Sequence, residues 1–87
     1  MTIKWHKDFQ KHYKKRIAPY KNIKLKFRER TEIFVNDPSS PIIKDHRLKG
    51  DMRKYRAFWI GGDLRVSYKK VGSDIEFMDV GTHNQVY

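Results

Sequence analysis

The feature of this sequence that most constrains its fold is a change of hydrophobic period near the middle. Before residue 36, apolar side chains recur at the spacings of amphipathic helices, and after residue 41 they form short runs typical of strands. The boundary, residues 36–41, contains two prolines and several residues that bond their own backbone, so we interpret it as a loop. One half of the chain should therefore be helical and the other half a sheet.

The first half predicts one strand and two helices. Residues 2–5 are rich in β-forming side chains and predict a short strand. Residues 7–16 are predicted to be a helix that ends before Pro19, because Phe9, Tyr13 and, just after this segment, Ile17 recur at four-residue steps. A second amphipathic helix is indicated by Tyr20, Ile23, Phe27 and Phe34, which recur at spacings of three, four and seven, with Ile33 beside them.

The second half predicts three strands, which are residues 55–60, 64–69 and 75–80. The segments between them are short enough for antiparallel hairpins. Leu64, Val66 and Tyr68 alternate with polar residues, so one face of the sheet should pack on the helices while the other stays open to solvent. We therefore predict an α+β two-layer domain in the order β-α-α-β-β-β, formed by residues 1–87.

The charge of the chain is large and uneven. Among 87 residues, 20 Lys and Arg oppose 10 Asp and Glu, and the first 35 residues hold 11 basic and 3 acidic side chains. Such a field attracts a phosphate backbone or an acidic protein without specifying which. Because so short a chain has only one shallow core, most of its functional surface should be open.

Composition also excludes several kinds of site. The chain has no cysteine, which excludes disulfides, thiolate metal sites and cysteine nucleophiles. It has no apolar stretch near the ~20 residues of a membrane span, and charge begins too early for a signal peptide. No carboxylate cluster suggests Mg²⁺. We therefore expect a cytoplasmic protein without membrane, metal or other cofactor.

Three segments carry side chains suited to acid–base or phosphate chemistry. Residues 45–50 place His46 among basic groups, and an imidazole titrates near neutral pH. Arg65 lies on a predicted strand near aromatic residues, so it could grip a phosphate while a ring stacks on a base. Residues 79–87 contain His83 and end in an aromatic residue. Each segment also has an interpretation without function. His46 could be an inert loop residue, the aromatic residues near Arg65 could belong to the core, and residues 79–87 could be a frayed terminus.

Together these segments resemble the RelE/ParE superfamily of bacterial toxins, and most closely its YafQ-like branch of messenger-RNA interferases. The pattern is Asp-His-x-Leu-x-Gly, then Tyr-Arg, then Gly-Asp-Leu-Arg-Val-x-Tyr, then Val-Gly-Thr-His and a closing aromatic, spread over residues 44–87. The resemblance implies a RelE-like fold, with two helices on a curved antiparallel sheet. It also implies a toxin of a type II toxin–antitoxin system that cleaves messenger RNA on the ribosome and so inhibits translation.

Position by position, the resemblance implies catalytic roles for His46, Asp63, Arg65, His83 and Tyr87. Without a metal, one histidine would take the proton of the 2′-hydroxyl and the other would protonate the leaving 5′-oxygen. Asp63 is expected to orient one histidine, and Arg65, assisted by Arg56 or Lys49, to stabilise the phosphorane. RNA contacts are expected from Lys49, Arg53, Lys54, Arg56 and Trp59.

Three positions depart from the YafQ-like pattern. Trp59 stands in place of a histidine, Leu64 in place of a tryptophan, and Asp79 in place of an arginine. One acid–base group and one cation of the family are thus missing. Asp79 is expected to pair with His83 and take over part of the positioning role of that arginine.

The expected partners are a cognate acidic antitoxin, the ribosome and messenger RNA, with operator DNA contacted only through the antitoxin complex. Three alternatives remain open at this point. The chain could inhibit DNA gyrase as ParE-like toxins do, bind RNA as a basic module without activity, or be a toxin that binds its antitoxin but no longer cleaves.

Overall fold

The computed structural model describes all residues from Met1 to Tyr87. Five strands and three helices follow one another as β1 (Ile3–Trp5), α1 (Lys7–Arg16), α2 (Lys21–Asn36), β2 (His46–Arg47), β3 (Arg56–Gly61), β4 (Leu64–Val71), β5 (Asp74–Gly81) and α3 (His83–Val86). A single 3-10 turn, Gly50–Met52, lies between β2 and β3. The predicted α+β class and the order of its six main elements are confirmed, and β2 and α3 are additions to it.

The sheet is mixed, with strand order β1-β5-β4-β3-β2. Strands β2 to β5 pair with one another in antiparallel orientation, as predicted for the hairpins. Strand β1 instead pairs in parallel with β5, where Ile3 lies opposite Ile75. A wholly antiparallel sheet is therefore not what the chain forms, because β1 reaches the sheet edge from the opposite end of the sequence and no turn fixes its direction.

The core lies between the two long helices and one face of the sheet. Phe34 of α2 stacks on Phe58 of β3 with ring centroids 4.5 Å apart, and Phe9 of α1 contacts Phe77 of β5 at 5.3 Å. The three phenylalanines Phe9, Phe58 and Phe77 have no solvent exposure. Aromatic pairs of this kind add packing energy to the burial of their area, so they fix both helices on the sheet.

The opposite face of the sheet is partly covered. Ala57 and Ser67 alternate with core residues and so point away from the long helices, yet both are buried. Helix α3 packs against β4 and β5, and its Val86 is also buried. The sheet face predicted to be open thus carries the C-terminal helix. None of the helices is both long and apolar enough to cross a membrane.

Candidate active site

The five residues predicted to be catalytic lie in one connected group, which we call the histidine–arginine cluster. Arg65 Nη2 donates to Asp63 Oδ1 at 2.8 Å, and Arg65 Nη1 lies 3.2 Å from His83 Nδ1. Tyr87 links the two histidines, since its hydroxyl lies 3.2 Å from His46 Nε2 and its ring packs on the His83 ring with centroids 4.5 Å apart. Residues separated by up to 41 positions are therefore assembled at one place.

The fold positions each member of the cluster from a different element. Arg65 lies near the start of β4 and pairs with Gly81 of β5, which leads directly into α3. His83 and Tyr87 are four residues apart and so share one face of the last helical turn. This turn is not frayed, because the Gln85 side chain accepts a hydrogen bond from the Thr82 N–H at 2.8 Å at its start.

Hydrogen-bond chemistry assigns different roles to the two imidazoles. A guanidinium has donors only, so His83 Nδ1 must accept from Arg65, and in the neutral ring the proton is then on Nε2. His46 is the reverse case. Its Nδ1 lies 2.9 Å from the Lys44 carbonyl, which can only accept, so Nε2 carries a lone pair that accepts from the Tyr87 hydroxyl.

A cavity of about 410 Å³ opens beside the cluster. Its lining combines both histidines and Tyr87 with Arg47, Lys49 and the apolar side chains Leu48 and Met52. The volume lies within the range of about 300–1,000 Å³ typical of small-ligand sites. Basic groups at the rim and apolar walls are suited to a ligand that is part phosphate and part flat ring.

The residues predicted to bind RNA are not all at this cavity. Lys49 lines it, while Arg53 and Lys54 lie exposed at the neighbouring 3-10 turn. The Trp59 ring contacts two cations, with Arg30 Cζ at 5.0 Å and Lys44 Nζ at 4.7 Å from its centroid. Its indole N–H donates to a backbone carbonyl at 2.7 Å. Trp59 thus lies in a basic setting, although intramolecular contacts already engage its ring.

Arg56 lies outside the cluster. Its Nε donates to Asp45 Oδ1 at 2.9 Å, and the Tyr68 hydroxyl donates to the other oxygen of the same carboxylate. Asp45 is almost fully buried, with 7% of its side chain exposed. This ion pair lines a separate cavity of about 690 Å³. The expectation that Arg56 assists Arg65 is therefore unsupported, because its guanidinium is committed to a buried carboxylate.

Two further expectations are wrong. Asp63 does not orient a histidine, since its carboxylate bonds the Arg65 guanidinium. Asp79 does not pair with His83, because its Oδ1 lies 2.6 Å from Nδ1 of His12 on α1. Sequence reasoning missed His12 altogether, and the only local signal was its place one helical turn before another basic residue, Arg16.

No group of three or more acidic, His or Cys side chains is arranged to hold a metal ion.

The buried hydroxyl of Tyr68, which is bonded to Asp45, predicts how the stability of the fold changes at alkaline pH. Burial raises the pKa of Tyr68, and the hydrogen bond to Asp45 raises it further. In the unfolded chain this phenol ionises near pH 10, so its contribution to stability is complete below that pH and is lost as pH rises toward the higher folded-state pKa. The free energy of unfolding should therefore fall by up to ~1.4 kcal/mol per pH unit above pH ~10 from this group alone.

Urea unfolding between pH 8 and 11 measures this effect. In Tyr68→Phe the free energy of unfolding should decrease less steeply with pH than in the parent protein. Tyr20→Phe, at a tyrosine that is 54% exposed, should show the same pH dependence as the parent. Equal pH profiles for the parent and Tyr68→Phe would contradict a raised Tyr68 pKa.

Comparison with known proteins gives one family match. The sequence model of the family described as "Bacterial toxin of type II toxin-antitoxin system, YafQ" matches residues 1–87. No curated protein sequence is similar enough to this chain to count as a match.

Solved structures share the fold at low sequence identity. YafQ from E. coli strain BL21(DE3) is 23% identical with a TM-score of 0.80, and the match covers 98% of this chain and 96% of that one. A copper-bound mutant toxin from Helicobacter pylori is 21% identical with a TM-score of 0.78, over 100% and 99%. YafQ in the E. coli DinJ-YafQ complex is 23% identical with a TM-score of 0.78, over 98% and 96%.

These structural likenesses establish the fold, and the family match extends over every residue of the chain. The resemblance inferred from residues 44–87 is thereby confirmed and extended to the helical half. The chain belongs to the YafQ family of bacterial toxins of type II toxin–antitoxin systems.

Proposed function

We propose that this protein is a ribosome-dependent endoribonuclease, a messenger-RNA interferase that inhibits translation without using a metal. The observation that carries the proposal is the histidine–arginine cluster beside its cavity. Cleavage through the ribose 2′-hydroxyl needs a base, a cation at the phosphate and an acid for the leaving oxygen. The cluster contains one candidate for each of these roles.

His46 is the candidate base. Its Nδ1–H is held by the Lys44 carbonyl, which leaves the Nε2 lone pair on the side of Tyr87 and the cavity. When RNA displaces the Tyr87 hydroxyl, this nitrogen can take the proton of the 2′-hydroxyl. The 2′-oxygen then forms a bond to the adjacent phosphorus.

His83 is the candidate acid, and Arg65 the cation. When Nη1 of Arg65 binds the phosphate instead, Nδ1 of His83 is free to take up a proton, and the resulting imidazolium donates its Nε2–H to the 5′-oxygen as the P–O5′ bond breaks. The Arg65 guanidinium, held by Asp63, can stabilise the charge that develops on the phosphorane. The products are a 2′,3′-cyclic phosphate and a 5′-hydroxyl, and both protons are accounted for.

We propose that basic groups outside the cluster bind RNA. Lys49 lies in the cavity, Arg53 and Lys54 flank it, and Trp59 lies one strand away, opposite Arg65 in the register of β3 and β4. The exposed lysines of α1 would contact ribosomal RNA. An open site of this size cannot hold its substrate rigidly, so the ribosome would supply the orientation.

Salt dependence tests this mode of binding. Each phosphate contact should add ~0.7–0.9 to the slope of log affinity against log salt concentration. A variant with Lys11, Lys14 and Lys15 changed to Ala should therefore bind ribosomes with a slope lower by about 2–3. Lys69→Ala is the control, since Lys69 lies 3.5 Å from Glu76 on the sheet and should change the slope little. A flat profile for the parent protein would instead indicate apolar docking.

The proposed protein partner is a cognate acidic antitoxin. The family description names a toxin–antitoxin system, and the E. coli relative was crystallised as a DinJ-YafQ complex. A formal charge of +10 favours an acidic protein here. We further propose that the protein acts in the cytoplasm and reaches operator DNA only through the antitoxin.

Primer extension on cellular messages after induced expression tests the proposed function. We expect growth arrest with cuts in phase with the reading frame, and on purified ribosomes with added protein the cuts should leave a 2′,3′-cyclic phosphate, the product of attack by the 2′-hydroxyl. A DNA-damage response without cuts would favour a ParE-like gyrase inhibitor. Normal growth and uncut messages would favour a basic RNA-binding module or a toxin that no longer cleaves, and would contradict the proposal.

A further inference from the structure

We propose that three residues, His12, Arg16 and Asp79, form a clamp whose role is to position His83 in the active site. The clamp lies between α1 and the end of β5, and none of its members touches the proposed catalytic groups. The expected effect on cleavage rests on the proposed function. The expected effect on structure does not, because it says only that two side chains of α1 hold the terminal helix α3 in place.

Helix α3 needs support from outside itself. Four residues are too few for a helix to persist in water, because the cost of nucleation is not recovered. The end of β5, which leads into α3, also lacks a neighbouring strand on one side. Strand β1 pairs with β5 only as far as Phe77, so residues 78–81 have no strand neighbour on that side.

Arg16 occupies this unpaired edge. Its Nη1 donates to the Val80 carbonyl at 2.8 Å. A Cβ atom placed on Gly81 would lie 2.7 Å from the same nitrogen and 2.5 Å from Oε1 of Gln85, so only glycine allows so close an approach. Arg16 therefore lies against the turn, beside the side chain that caps α3.

Asp79 and His12 hold Arg16 in place. Asp79 Oδ1 lies 3.6 Å from Arg16 Nη1 and 2.6 Å from His12 Nδ1, and it also accepts from the Val80 N–H at 2.8 Å. His12 and Arg16 are four residues apart, on one face of α1. The three side chains are only 21–24% exposed, so solvent screens their interaction less than that of a surface pair. The segment from Asp79 to Gly81 is thus fixed immediately before His83.

The position of His83 follows from this arrangement. Its ring must stay beside the Arg65 guanidinium, with Nδ1 3.2 Å from Arg65 Nη1 in the structure, for Nε2 to face the substrate. A shift of about 1 Å in such a group can lower a rate by ~10²-fold. Position 79, where the family pattern has an arginine, thus carries a carboxylate that acts through α1.

Arg16→Ala and Asp79→Asn in the full chain test the clamp. NMR should show faster amide exchange in α3 and altered His83 ring signals in both variants, whether or not the protein cleaves RNA. On ribosomes, kcat should fall by ~10-fold or more with KM little changed. In a His83→Ala background, Arg16→Ala should lower kcat by less than about twofold, because the residue that it positions is gone.

His6→Ala is the matched control. The His6 side chain caps the start of α1 by accepting the Asp8 N–H at 3.1 Å, at the end of the helix opposite Arg16, so its loss weakens the same helix without removing a contact of the clamp. It should leave the α3 amides and kcat unchanged. Unaltered α3 exchange and His83 signals in Arg16→Ala would overturn the inference, as would an equal loss of kcat with and without His83. If the parent protein does not cleave RNA, the NMR result alone decides.

Discussion

His83→Ala should lower the rate of messenger-RNA cleavage by about 10²–10⁴-fold, the usual contribution of a general acid or base. The variant removes both the Nε2 proton proposed for the 5′-oxygen and the group that Arg65 Nη1 contacts. Single-turnover cleavage on programmed ribosomes measures the effect directly, and growth after induction reports it in cells. We expect His46→Ala to lose activity by a similar factor through the other proton transfer.

Arg65→Ala should lose about 10²–10³-fold, because a lost donor at a charged transition state costs that much. Arg65→Lys should restore little of this activity, since a lysine cannot bond Asp63 and His83 with a rigid fork. Antitoxin binding should survive in each variant. Asn84→Ala is the matched control on α3, at an exposed residue beside His83, and should cleave normally. Normal rates for both His83→Ala and Arg65→Ala would remove these residues from the mechanism.

Phe77→Ala should lower the free energy of unfolding by about 3–5 kcal/mol, the usual cost of truncating a buried phenylalanine. Phe77 has no solvent exposure, and its ring lies within 5.3–6.4 Å of four other phenylalanine rings from both long helices and β3. A domain of this size has a total stability near the low end of ~5–15 kcal/mol, so the variant should be largely unfolded at 37 °C.

Thermal and urea unfolding measure this loss. Phe77→Leu should retain most of the stability because it keeps most of the buried volume. Leu25→Ala, on a residue that is 52% exposed, should change the free energy of unfolding by less than ~0.5 kcal/mol. A loss for Phe77→Ala no greater than for Leu25→Ala would mean that the aromatic core does not dominate stability.

Much of the site could be predicted because its residues lie in short motifs. His46, Arg65 and His83 each belong to a local pattern, and the hairpin between β3 and β4 fixes Asp63 beside Arg65. Local patterns could not show every partner. Asp79 bonds a histidine 67 positions away, and this partner is decided by how α1 packs against β5.

The sequence by itself determined the elements, their order, the basic character of the first half and the family, because these follow from side-chain periods, turn chemistry and motifs spanning a few residues. Only the tertiary structure decided that β1 runs parallel to β5, that the last residues form a helix over the sheet, and that α1 supports the turn before His83. For β1 and α1 the physical reason is distance along the chain, because their contacts with β5 join segments more than 60 residues apart and depend on the packing of the whole core. For the last helix the reason is its length, because four residues do not form a stable helix without the sheet beneath them.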